Sequence, residues 1–225
     1  MSDVKERYGK LFGRGEGTDR MQFFSDAVFA IALTLLVIDI KVPSEVEGGS
    51  FEVLAQAVPS IYAYILSFYV IAVNWMAHHR KFGRVQRLDG RLISLNFLLL
   101  FVVAFVPFPT SMIAEYPGEV TSVVLYAGVV AALSLLQLAT WAYAVRAGHV
   151  DPAVDGQVNA YLVRVMLVVP TVFAISILIA ILWDPFAAMW SWIALAPAQW
   201  IVGRIGAAVP DRASAVEANE DSPRT

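Results

Sequence analysis

An all-α membrane protein with six transmembrane helices and both termini in the cytoplasm is the fold that this sequence predicts, on three observations. Six stretches of 18 to 26 residues carry almost no charge, the length an α-helix needs to cross about 30 Å of hydrocarbon. The composition is 58% hydrophobic and 16% charged, against about 45–50% and about 25% in soluble domains. Every lysine and arginine except Lys41 falls on one side when the six spans alternate. An odd number of spans would destroy that asymmetry.

The elements follow in order. Residues 1–22 are charged and glycine-bearing, with no apolar run before Phe23. They read as a short cytoplasmic lead and not as a cleaved signal peptide. The first span, 23–40, places Ser25 and Asp26 about one turn inside, where a carboxylate is costly enough to need a reason. The second, 54–77, leaves on the cytoplasmic side through Asn74, Trp75, Met76, Ala77, His78 and His79. The third, 92–114, returns after Arg91, carries Asn96 near its start, and has Pro107 and Pro109 to bend its outer end. In the fourth, 120–145, Gln137 and Thr140 can line a cavity or make one interhelical hydrogen bond each.

Only Asp184 separates the fifth span, 165–183, from the sixth, 185–203. Pro185 suits the first position of a new helix, so a tight hairpin is expected, with one long bent segment as the alternative. Trp183, Trp190, Trp192 and Trp200 suit interfacial belts. A six-helix unit thus occupies 23–205, and the polar tail 206–225 is expected to be a disordered cytoplasmic segment. The outer loops are short and acidic, with Glu45, Glu47 and Glu52 in the first and Glu115 and Glu119 in the second.

Several function classes are disfavoured. A net charge of −3 gives no basis for binding nucleic acid. With no cysteine there is no disulfide, thiolate metal site or cysteine nucleophile. His78 and His79 are adjacent and diverge by about 100° on a helix, whereas ligand pairs recur at i, i+3 or i+4. No metal and no cofactor is therefore expected. Ser25 has Asp26 beside it but on a divergent face, so a hydrolytic pair is not formed and no enzyme is expected. A secondary transporter would favour inverted repeats and broken mid-membrane helices, and no duplication is visible.

Placed on a wheel of about 100° per residue, Ala27, Ile31, Thr34, Leu35 and Ile38 make one aliphatic stripe with a single hydroxyl. Ordinary packing or lipid contact explains such a stripe when pattern alone is considered. Ser25 and Asp26 fall outside it. Donors from Asn74, Trp75, His78, His79 and Asn96 lie at the depth of Asp26, and a polar network there would clamp the first three helices together.

The run Arg20-xxx-Phe24-Ser25-Asp26, followed by Ala-Val-Phe-Ala-Ile-Ala-Leu-Thr-Leu-Leu, closely resembles the signature of the endolysosomal potassium channel family and its prokaryotic homologues. The resemblance continues through Trp75-xx-His78-His79 and through residues 98–110, and covers about the first half of the chain. It implies a homotetramer, since one signature is present, with the first helices around a pore. It implies that Ile31, Leu35 and Ile38 form constricting, selecting rings beside a ring of Thr34, a hydrophobic gate in place of a carbonyl filter. Arg20, Phe24, Ser25 and Asp26, with the tryptophan and histidines of the second helix, are implied to form the supporting network. The implied activity is passive, potassium-preferring conduction in the cell membrane, with a proton-permeable or weakly selective sodium-passing pore as the alternative.

Overall fold

The computed structural model describes residues 16–38, Ile40 and residues 49–207. Lys41, Asp39, Glu45, Glu47, most of the lead and the tail from residue 208 lie outside them. Within the described residues the regular structure is entirely helical: α1 (Glu16–Ile38), α2 (Ser50–Phe82), α3 (Gly90–Phe105), α4 (Pro107–Glu115), α5 (Val120–Arg146), α6 (Gly156–Leu182), α7 (Pro185–Ser191), a 3₁₀ turn (Trp192–Ala194) and α8 (Leu195–Ala207).

Boundaries differ from the hydropathy pattern where helices leave the apolar zone. α1 starts ahead of Phe23 and α2 runs beyond His79 to Phe82. Hydropathy marks where a segment can sit in lipid, while the backbone hydrogen bonds of a helix continue into polar sequence. The third span is broken at Val106 into α3 and α4, with Pro107 at the first position of α4. A proline there has no amide hydrogen to donate and fits a helix start.

Five spans, counting α3 and α4 together, are long and apolar enough to cross a membrane without a further break. The sixth expected segment is instead divided into α7, the 3₁₀ turn and α8. Pro197, near the start of α8, would clash in an α-helix with the carbonyl of Ile193, and the backbone tightens around that residue. Asp184 ends α6 and caps α7, its carboxylate accepting from the Ala187 amide at 2.7 Å. The sharp turn follows from Asp-Pro.

Consecutive long helices run antiparallel. The start of α1 meets the end of α2, and the Trp141 indole near the end of α5 donates to Asn159 near the start of α6 at 2.9 Å. One core joins α4 to α8 around Tyr126, Phe173 and Trp192, whose ring centroids lie 5.0 to 6.1 Å apart. Trp192 is thus a core residue and not part of an interfacial belt. It falls on the inner side of the 3₁₀ turn, while Trp183, Trp190 and Trp200 stay exposed. Beside this core, Ser67 links to Thr110 at 2.8 Å and to Tyr126 at 3.1 Å, tying α2 to α4 and α5. A second core joins α1 to α2, α3 and α5 through Phe29, Leu36, Ile71, Leu99, Val103 and Leu133.

The α2–α3 and α5–α6 loops are zipped together. Val85 and Val150 form an antiparallel bridge, with Gln86 N–H donating to His149 at 2.8 Å and Asp151 N–H to Arg84 at 2.9 Å. Asp89 caps α3 through the Leu92 amide and also meets the Tyr143 hydroxyl and the His149 ring. Partial burial works against its charge, but the hydrogen bonds from Tyr143, Leu92 and His149 outweigh that and hold the carboxyl below its usual range.

Gly118, between α4 and α5, has φ of +83°, and a Cβ there would lie 2.3 Å from the Phe186 ring. Gly118→Ala is expected to cost about 1–2 kcal/mol from the backbone conformation alone, with further loss as Phe186 shifts. Thermal unfolding of the purified variant checks this, and an unchanged midpoint would contradict it.

Candidate functional site

α1 presents two unlike faces. Ser25, Phe29, Ala32 and Leu36 recur at helical spacing and are buried against the rest of the chain. The other face carries Ala27, Ile31, Thr34, Leu35 and Ile38, all exposed. Ile31 keeps 58% of its surface, Leu35 41% and Ile38 71%. The chain by itself therefore covers none of the aliphatic stripe fully. The Thr34 hydroxyl donates to the Ile31 carbonyl at 2.8 Å, the back-bond that serine and threonine make in apolar helices. Its hydrogen is spent within the helix, so the group offers lone pairs outward.

The polar residues divide between two faces of α2. Trp75 and His79, one turn apart, face α1: the Trp75 indole donates to Asp26 Oδ1 at 2.8 Å, and His79 Nδ1 lies 3.4 Å from Asp26 Oδ2. His79 Nδ1 is also 3.1 Å from Gln22 Nε2. A ring nitrogen cannot accept from Gln22 and donate to Asp26 together, so the two contacts belong to different tautomers or to a rotated amide.

Asn74 and His78, expected beside Asp26, occupy the next face and do not join it. Helical spacing decides this: Asn74, His78 and Lys81 share one side, Trp75 and His79 another. His78 is buried between the rings of Phe29 at 5.4 Å and Phe82 at 4.4 Å, and its Nε2 has no partner among the described residues. The Asn74 side chain donates to its own helix at Val70, and the Asn74 backbone carbonyl accepts from Gln137 Nε2 at 2.9 Å. Gln137 Oε1 in turn accepts from Lys81 Nζ at 2.6 Å. Gln137 thus makes bonds across helices, and Lys81, which the hydropathy pattern left in a loop, is buried. The signal for Lys81 is its i+7 spacing from Asn74.

A separate contact reaches α3. Asn96 Nδ2 donates to Ser25 Oγ at 3.0 Å, and Ser25 donates to the Met21 carbonyl at 2.8 Å, both side chains being fully buried. Phe24 packs against Phe97 with centroids 5.7 Å apart. Arg20 is exposed and has no partner among the described residues. Asp26 and Ser25 therefore tie α1 to two different neighbours, and no group of three metal-ligating side chains exists among the described residues.

Residues 20–107, which hold all but the first turn of α1 together with α2, α3 and both sets of contacts, match the family described as Endosomal/lysosomal potassium channel TMEM175. The chain is 46% identical over 142 residues to Potassium channel B446_29190 of Streptomyces collinus, covering 60% of this chain and 69% of that one. It belongs to the TMEM175 family. A crystal structure of a lysosomal potassium-selective channel TMEM175 homolog from Chamaesiphon minutus superposes with a TM-score of 0.73 at 33% identity. That match covers 84% of this chain and 99% of the other. A more distant TMEM175 relative, 26% identical over 138 residues, is the Endosomal/lysosomal proton channel TMEM175 of Danio rerio, matched over 60% of this chain and 26% of that one. The fold, an all-α membrane protein, is that of the TMEM175 channels.

Proposed function

We propose that the protein is a potassium-preferring cation channel, and not an enzyme, in which four copies surround an axis lined by α1. The observation that carries this reading is the exposed stripe of Ile31, Thr34, Leu35 and Ile38 on the helix that holds the TMEM175 signature. Copies related by a closed rotation would bring four of each residue together. Rings of isoleucine and leucine exclude bulk water, so an ion crossing them must shed part of its shell. Potassium holds that shell less strongly than sodium and crosses at lower cost, and narrow aliphatic rings close by dewetting. Asp26, Trp75, His79, Ser25 and Asn96 hold α1 at fixed distance and rotation against α2 and α3, which sets how far the rings protrude. Ion flux through liposomes holding the purified protein, with reversal potentials in potassium, sodium and proton gradients, tests conduction and selectivity together.

A second reading on the same scaffold is a proton-permeable pore. It is favoured by the name of the Danio rerio relative. A reversal potential that follows the proton gradient would select it.

The cell membrane is the location that this reading implies, with both termini on the cytoplasmic side. Cysteines introduced at Gly48 and Gly83 are then expected to label from opposite faces of sealed cells, Gly83 from inside. The distribution of basic residues motivates this, and labelling of the Gly83 variant from outside would overturn it.

A further inference from the structure

We infer that the cavity between α2, α5, α6 and α8 is a binding site for the phosphate headgroup of an anionic phospholipid, held by Lys81 and Arg80. This site is separate from the stripe on α1 and does not depend on how that stripe conducts.

The cavity measures about 190 Å³ and is lined by Lys81, Arg80, Gln137 and Gln199 beside the apolar Met166 and Val169. At about 30 Å³ per water in the liquid, it has room for roughly six water molecules, enough for a headgroup fragment. Lys81 is the observation that calls for a ligand. Its side chain is 8% exposed, and its ammonium meets the Gln137 amide oxygen at 2.6 Å. Neither that contact nor any among the described residues places a carboxylate against it, and no carboxylate is among the described residues lining the cavity. The charged form of a buried lysine with only a neutral partner carries a large desolvation cost, which an anion would offset.

Arg80, next along α2, is exposed and also lines the cavity, its Nε donating to the Met76 carbonyl at 3.2 Å. Its other guanidinium hydrogens have no partner among the described residues and can meet an oxyanion at the mouth. Depth fits as well. On α8, which supplies Gln199, Arg204 stacks over the Trp200 ring at 4.3 Å, and tryptophan with arginine marks the headgroup level of a bilayer. Both basic side chains lie at the end of α2, and the apolar side of the cavity on α6 suits the first carbons of an acyl chain. Basic pockets between spanning helices are the form that headgroup recognition takes.

The shared chemistry is a phosphate oxyanion, whose source is a lipid or free phosphate. The full-length protein, delipidated in detergent, is titrated with dioleoyl phosphatidylglycerol, dioleoyl phosphatidylcholine and inorganic phosphate, with bound adducts counted by native mass spectrometry. Wild type is expected to bind phosphatidylglycerol in preference, and Lys81→Gln and Arg80→Gln each to weaken that binding about tenfold, as loss of a charge-assisted contact does. Equal binding of both lipids, or undiminished phosphatidylglycerol binding by Arg80→Gln, would overturn the proposal. Arg80 is exposed, so its variant keeps the test decisive if Lys81→Gln does not fold. Displacement of phosphatidylglycerol by equimolar inorganic phosphate would overturn the lipid source while leaving an anion site.

Discussion

Leu35→Asn is expected to raise the current and to erode the preference for potassium over sodium. Leu35 sits between Ile31 and Ile38 on the exposed face of α1, keeps 41% of its surface, and belongs to neither buried core. In the proposed tetramer, four asparagine amides at that level would give a partly dehydrated ion replacement ligands, and a barrier lowered by about 1.4 kcal/mol raises the crossing rate about tenfold. Sodium gains more than potassium, because it gave up more hydration to enter. Leu35→Ala separates the two contributions, since it widens the ring without adding a dipole. Single-channel recording in bilayers checks both variants, after each is shown to assemble as wild type does. A stripe that faces lipid would leave current and reversal potential unchanged in both, and that outcome would remove α1 from the pore.

Asp26→Ala is expected to weaken the protein more than to change its selectivity. The carboxylate accepts from the Trp75 indole at 2.8 Å and lies 3.4 Å from His79. Its loss leaves a half-buried donor without a partner, at a cost of about 1–3 kcal/mol. Asp26 retains 27% of its side-chain surface, so water can replace part of the interaction. Measured interhelical hydrogen bonds in membranes also average below 1 kcal/mol. About 1 kcal/mol is the figure to expect. Trp75→Phe removes the same bond from the other side, so the double variant should be little worse than either single one. Thermal denaturation of the purified protein in detergent reads all three. Additive losses would show that the indole and the carboxylate act independently, and the clamp would then have to rest on Ser25 and Asn96.

Much of the first half of the chain was legible before its structure. The i, i+4, i+7 spacing of Ile31, Leu35 and Ile38 named a face, and that face is exposed. The depth of Asp26 pointed to donors on α2, and Trp75 supplies one. Depth alone puts Asn74 and His78 in that network as well, but helical rotation turns both to the next face of α2, and Arg20 too stays outside it. Depth along a helix follows from counting residues, but which of two adjacent residues faces a given neighbour depends on where that neighbour stands. The same reason hid Lys81. A lysine at the end of an apolar run ordinarily reaches toward water, and here Gln137 on α5 holds it inward. Trp192 carries a parallel lesson, for a tryptophan near a span end suits the interface until a turn rotates it against Tyr126 and Phe173.

By itself the sequence determined that the chain crosses a membrane, how many apolar segments it has, and which stripe of α1 is aliphatic. Those properties depend on transfer of side chains from water to lipid and on the fixed rise and rotation of an α-helix, both local. Tertiary structure alone decided which polar groups meet, where the last span breaks, and that a lysine lies buried beside a cavity. Those depend on the relative placement of residues such as Lys81 and Gln137, far apart in the chain, which no local period encodes.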